Sequence, residues 1–294
     1  MPIISDLFEA INFLTIFKLK GKNAVAVKIE NIHDSGVETG SGSVLYAAAL
    51  KKSIKYFPLA GLSIGLTLAA VFYIFNRFLP VMPAVLISIF FLYAITGGLH
   101  FDGLSDTSDG FSAYLKSGDK TKFYKAMKDV NAGISGNISV IFYILLMWSL
   151  IGAFNSNFVF SPYAVFNYHA YDKNTDYIYL PLISFPVVGR YSIVLMSYFS
   201  KTPDNFKGIG AIFTEGTEGP SFIAASIFTF IIIMFLLGLA GIFSLLAAVL
   251  IILFIIFYFE KKFGGVNGDM LGFGVKVSEI VFIAALTGFH KILY

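Results

Sequence analysis

The sequence predicts an all-α, polytopic transmembrane helix bundle of about seven spans, and three observations carry that prediction. Hydrophobic residues make up 57% of the 294 and charged residues only 13%, about half the charged share of a soluble domain. Mean hydropathy is +0.78. Apolar runs long enough to cross a bilayer recur along the chain, with lysines gathered in alternate segments between them.

A spanning helix needs about 20 mostly apolar residues. In chain order the runs are 57–78, 82–99, 136–154, 177–199, 221–240, 242–259 and 272–290. Ahead of them, MPIISDLFEAINFLTIF carries Asp6 and Glu9 and lacks a basic leader and a cleavage site, so it reads as a short interfacial helix. Residues 18–56 read as a polar N-terminal loop. The fourth run holds Pro181, Pro186 and Arg190, and the seventh begins with Lys276 and Glu279 in its first turns. From Ser221 to Phe259 no residue is charged, and the stretch is too long for one crossing. Gly238 and Gly241 offer a turn between two antiparallel spans. The whole chain, 1–294, forms one integral membrane domain with no internal repeat.

Seven spans place Lys18, Lys20, Lys22, Lys28, Lys51, Lys52, Lys55, Lys116, Lys120, Lys122, Lys125, Lys128, Lys201, Lys207, Lys261 and Lys262 on one side. Only Arg77, Lys173 and Lys291 fall on the other. This is the positive-inside asymmetry, and it makes the lysine-rich side cytoplasmic. The net charge of +3 gives no support to nucleic-acid binding. With no cysteine, disulfides and thiolate metal sites are excluded.

Chemistry concentrates in residues 100–135, a cytoplasmic loop and helix. In LHFDGLSDTSDG, Asp102, Asp106 and Asp109 stand at i, i+4 and i+7 and share one helix face. Carboxylates that close repel one another unless a cation lies between them, and an all-oxygen set favours Mg²⁺ or a similar hard ion. The plainer reading is a solvated acidic helix end. Beyond it, DKTKFYKAMKDVNAGISG forms a short amphipathic surface helix whose lysines suit a phosphate-bearing substrate. Lys128 is a phosphate candidate and Asp129 a metal or base candidate. The last segment on this side, KKFGGVNGDMLGFG, sets a single Asp269 among Gly264, Gly265, Gly268, Gly272 and Gly274. Such a loop lets backbone approach a phosphate or a metal, although glycine-rich turns are common between membrane helices. Arg190 and Glu279 fall inside spans, where ionisable groups are functional or paired. His100 adjoins the aspartates and reads as a packing residue.

These residues resemble the cobalamin synthase family, the adenosylcobinamide-GDP ribazoletransferases. The resemblance rests on NFLT near the start, FPLAGLSIG, TGGLHFDGLSDTSDG, MKDVNAGISG, Gly189–Arg190, GIGAIF, and GGVNGDMLG followed by Glu279, all in register with the family. Asn131 and Asn205 stand where the family usually has arginine. The resemblance implies a prokaryotic, multi-pass cell-membrane enzyme with its catalytic loops in the cytoplasm. Its substrates would be adenosylcobinamide-GDP and α-ribazole or its 5′-phosphate, with release of GMP and a requirement for Mg²⁺. Asp102, Asp106, Asp109 and Asp269 would hold metal, and Asp129 and Lys128 would serve catalysis. Lys128, Arg190, Gly265 and Gly268 would bind the nucleotide's phosphates. Association with other enzymes of cobalamin assembly is a further expectation. Two other diphosphate-using membrane enzymes are weaker fits: a CDP-alcohol phosphotransferase needs an arginine after Asp106 that is missing, and an aspartate-rich prenyltransferase needs a second aspartate cluster. A transporter would carry its polar groups at mid-membrane.

Overall fold

The computed structural model describes residues 2–17, 41–154, 177–204, 206 and 208–293. Among them every regular element is helical: α1 (Pro2–Leu14), α2 (Ser41–Ser53), α3 (Phe57–Phe75), α4 (Val81–Thr96), α5 (Leu99–Ser117), α6 (Lys120–Met127), α7 (Ile134–Gly152), α8 (Tyr179–Phe199), α9 (Ile209–Thr214), α10 (Gly219–Phe263) and α11 (Gly268–Leu293). The lysines and aspartates expected at 18–40 and 155–176, together with Asn205 and Lys207, lie outside the described residues.

Five helical stretches are long and apolar enough to cross a membrane, and the bent pair α4–α5 makes a sixth. The seventh comes from α10. Gly238 adopts φ 57° and ψ −145°, a conformation open to glycine alone. Residues eight apart in a straight helix lie about 12 Å from one another along its axis. Yet a methyl group on Gly241 would stand 3.2 Å from the carbonyl oxygen of Ile233. The chain therefore doubles back at Gly238, and α10 is a hairpin of two crossings.

Both arms of the hairpin return to one end of the bundle. Phe222, near its start, stacks on Tyr198 at 4.5 Å. Near its finish, Glu260 accepts the Lys201 backbone N–H at 3.0 Å. Val266 donates to the Lys201 carbonyl at 2.8 Å, and the Tyr124 hydroxyl donates to the Phe263 carbonyl at 2.9 Å. The lysine-rich segments thus converge on a common face. At the opposite end the Trp148 indole donates to the Met82 carbonyl at 2.8 Å, and Phe243 meets Phe289.

α8 is the hub, buried along most of its length despite Pro186 in its interior. Gly61 and Gly65 of α3 let the α8 backbone carbonyls of Pro186 and Ile183 come into direct contact with α3, the small-residue packing that membrane helices use in place of a hydrophobic driving force. The interfacial helix expected at the N-terminus is α1, which buries Ala10 and Leu14. The polar loop expected over residues 18–56 ends sooner than the sequence suggested. From Ser41 the chain is already helical, and a 3-10 turn at Ile54–Tyr56 leads into α3. The physical reason is that Leu50 and Ile54 are fully buried, so this segment has an apolar face to pack.

Candidate active site

The α4–α5 pair bends by 92° at Gly97 and Gly98, both left-handed, with φ 60° and 77°. The bend swings α5 against α11. The sequence provides for close contact there, because a methyl on Gly103 would stand 2.6 Å from the carbonyl oxygen of Asp269 and 3.0 Å from the Gly272 Cα. The start of α11 is fixed by Asn267, whose side-chain oxygen accepts the Met270 N–H at 3.0 Å. Asp269 is thus brought to the aspartate helix across some 160 residues of sequence. Asp106 is half-buried, and the like charges that bear on it are those of Asp102, Asp269 and Asp109. Asp102 is exposed and Asp269 half-buried.

Asp109 has a second task. Its two carboxylate oxygens accept the backbone N–H groups of Gly133 at 2.7 Å and Gly136 at 2.8 Å. It therefore caps the first turn of α7, whose N-cap position, Gly133, has no side chain to do so. Of the four expected metal ligands, Asp102, Asp106 and Asp269 lie near enough for their charges to act on one another, as Asp109's also does, while Asp109 in addition holds two backbone N–H groups of α7.

Among the described residues no three acidic or histidine side chains stand close enough together to enclose an ion. Mg²⁺ does not require such a cage. It keeps several waters and is held by one or two carboxylates together with substrate phosphates. The donor chemistry fits on that basis: hard oxygens only, with mutually repelling charges that a cation relieves.

The remaining expected residues divide. Asp129 is exposed and accepts the Asn131 backbone N–H at 3.0 Å. Lys128, also exposed, holds its Nζ 5.0 Å from the centre of the Phe206 ring. Both sit on the rim just after α6, which docks through Phe123 and Met127 against Gly110. Burial pushes the Tyr124 hydroxyl up to about 12, so it stays protonated and keeps its bond to Phe263. Gly268 opens α11 and meets the backbone of Gly210 in α9, which brings GIGAIF to the same place. Gly265 is different, since the backbone of Lys201–Pro203 fills the space where its side chain would be. Glycine at 265 is thus required by packing, since any side chain there would strike that backbone.

Arg190 lies deeper, fully buried, and pairs with Glu279 at 2.7 Å. Sequence reasoning missed the rest of this cluster. Glu279 also takes Lys276 at 3.0 Å and the Tyr143 hydroxyl at 2.5 Å. Lys276 sits 4.0 Å above the Phe101 ring. The available signal was the Lys276/Glu279 pair at i, i+3 inside an apolar span.

The fold defines a multi-pass membrane protein with a cluster of aspartates from α5 and α11 at one end of the bundle. The chain belongs to the Cobalamin-5-phosphate synthase family, whose profile matches residues 6–287. It is similar to the adenosylcobinamide-GDP ribazoletransferase of Geotalea daltonii, 31% identical over 237 residues, covering 81% of this chain and 86% of that one. The protein of the same name from Clostridioides difficile is 31% identical over 243 residues, with 79% and 85% covered. That of Clostridium novyi is 29% identical over 238 residues, with 81% and 86% covered. No solved structure matches the chain.

Proposed function

We propose that this protein joins α-ribazole, or its 5′-phosphate, to adenosylcobinamide-GDP with release of GMP, in a Mg²⁺-dependent phosphotransfer at the lysine-rich, cytoplasmic face. The observation that carries the proposal is the seating of Asp269 against the aspartate helix, in a chain whose family and relatives bear that activity's name. In the reaction the ribazole hydroxyl oxygen bonds to the phosphorus nearer cobinamide, the P–O–P bridge breaks, and GMP leaves with the bridging oxygen. One or two of the carboxylates of Asp102, Asp106 and Asp269 would hold Mg²⁺ together with the substrate's phosphates, and the ion would supply charge neutralisation on the diphosphate. Asp129, exposed after α6, would receive the hydroxyl proton, and Lys128 beside it would meet phosphate oxygens. Association with other cobalamin-assembly enzymes would use the same exposed face.

The test is an assay of detergent-purified protein with adenosylcobinamide-GDP, α-ribazole and Mg²⁺. GMP release that stops on chelation and resumes with Mg²⁺ is expected. Absence of GMP release by folded protein refutes the reading.

A further inference from the structure

The NFLT segment, Asn12–Thr15, closes α1 far from the aspartates in sequence, yet the residue after it touches the bend that aims their helix. At the end of α1 the Thr15 hydroxyl donates to the Ile11 carbonyl at 2.7 Å and accepts the Phe17 N–H at 3.2 Å. The turn leaves the N–H between them, that of Ile16, to donate to the carbonyl of Ile95 in α4 at 2.8 Å. The last carbonyls of a helix have no partner within it. At the end of α4 those of Tyr93 and Ala94 accept from Gly98 and Gly97, and that of the buried Ile95 accepts from Ile16. A methyl on Gly97 would stand 3.2 Å from the Ile16 Cγ2, so the side chain also lies against the first glycine of the bend. Two consecutive left-handed glycines impose no angle of their own, because glycine is the most permissive residue. The 92° between α4 and α5 has to be held from outside, and α1 is anchored for that task. Ala10 and Leu14 are fully buried, and Asp6 pairs with Lys55 at 3.6 Å. Phe13 stacks on Phe57 of α3 at 5.9 Å and meets Phe213 of α9 at 5.1 Å. α9 lies in turn against the start of α11, where a methyl on Gly210 would stand 2.6 Å from the Gly268 nitrogen. The Ile16 side chain, by contrast, is 59% exposed. Its burial adds little to stability, so its contribution is its contact with the bend.

We propose that Ile16 is a positioning residue: its N–H on Ile95 and its Cγ2 on Gly97 set the angle of the Gly97–Gly98 bend, and so the tilt at which α5 presents Asp102 and Asp106 to Asp269. The proposal rests on the preceding reading only in giving that aspartate cluster a reaction to serve. Asp102 follows the bend directly, its N–H donating to the Gly98 carbonyl at 2.9 Å. Leverage grows along the helix. α5 is about 28 Å long, so a change of about 10° in the bend moves its far end by about 5 Å. Asp106, two turns in, moves by about 2 Å. A displacement of about 1 Å in a reacting group can cost about 100-fold in rate, so a small loosening of the bend is enough to matter.

The chain has no cysteine, and Leu86 of α4 and Ser117 of α5 are both exposed. Spin labels on Leu86→Cys and Ser117→Cys therefore report the bend as a distance distribution in pulsed EPR of the full-length protein in maltoside. In that background Ile16→Pro removes both the N–H and the Cγ2 contact, and it should shift or broaden the distribution by about 3–5 Å. The kcat should fall about 10- to 100-fold, while the KM for adenosylcobinamide-GDP and the melting temperature stay close to those of the labelled parent. Ile16→Val keeps both contacts and should restore the parent's distances and turnover. An unchanged distribution in Ile16→Pro would overturn the proposal. So would a lowered melting temperature with kcat intact, which would leave Ile16 a purely structural role, or a shifted distribution with kcat intact, which would free the site from the bend. If Ile16→Pro does not fold, Ile16→Gly removes the Cγ2 contact and loosens the backbone, and an unchanged distribution there overturns it equally. The distance arm is independent of turnover, so an inactive parent whose bend still answers to Ile16 would count against ribazole transfer alone.

Discussion

The carbonyl oxygen of Asp269 lies so close to Gly103 that a methyl group there would stand 2.6 Å from it. The contact is backbone against backbone, and it holds a carboxylate from the end of the chain at the face of the aspartate helix. Gly103→Ala should therefore push α11 away from α5. Destabilisation of about 1–3 kcal/mol, the usual result of overpacking, is expected together with a large loss of turnover. A thermal melt and an activity assay in detergent check both, and a fully active Gly103→Ala would show that the seam does not set the site.

Asp106 and Asp109 are three residues apart and should respond differently. Asp109→Asn forfeits the charge that takes two amide hydrogens from α7, and the melting temperature should fall by an amount corresponding to about 1–2 kcal/mol. Asp106→Asn removes one of four mutually repelling charges, so the melting temperature should hold or rise. Turnover should drop about 100-fold or more if that carboxylate holds the metal. Isothermal titration with Mn²⁺ in place of Mg²⁺ should show weaker binding in Asp106→Asn.

The orientation of the bundle can be read with a single thiol. The chain has no cysteine, and Ser117 is exposed at the end of α5. A cysteine at 117 should resist a membrane-impermeant maleimide in intact cells and label fully after lysis. Labelling before lysis would reverse the assignment of faces.

Gly238→Ala addresses the hairpin. An L side chain is strained at φ 57° with ψ −145°, at a cost of about 1–3 kcal/mol. The variant should melt lower, whereas Gly264→Ala, also at positive φ but with open space around it, should be milder. Equal effects would mean that the turn at 238 is not under conformational constraint.

Much of this architecture was legible in the sequence because the bilayer imposes one dominant rule. Apolar runs gave the crossings. The uncharged stretch from Ser221 to Phe259 could only be accommodated as a hairpin, and lysine placement put the aspartates, Gly210 and Asp269 on one face. What stayed hidden depends on partners rather than on pattern. Nothing in LSDTSDG distinguishes a carboxylate that faces a mouth from one that caps another helix, so Asp109 read like its neighbours. Gly265 and Gly268 look alike in GGVNGD, yet one is filled by backbone and the other opens a helix. Arg190, Lys276, Tyr143 and Glu279 come from three helices, and only their packing shows that one glutamate serves them all. The helix at Ser41–Ser53 was obscured by its polar flanks.

The fold-back at Gly238 also bears on how the protein is made. A turn this tight, within a stretch free of charge, offers no hydrophilic loop to be carried through the lipid. Neither arm has flanking charges at the turn to fix its direction, so the orienting charges stand at the other ends of the two arms, Lys201 and Lys207 ahead of the first and Lys261 and Lys262 at the close of the second. A ribosome that stalls after the first arm would leave a helix with no determinant of direction at its leading end.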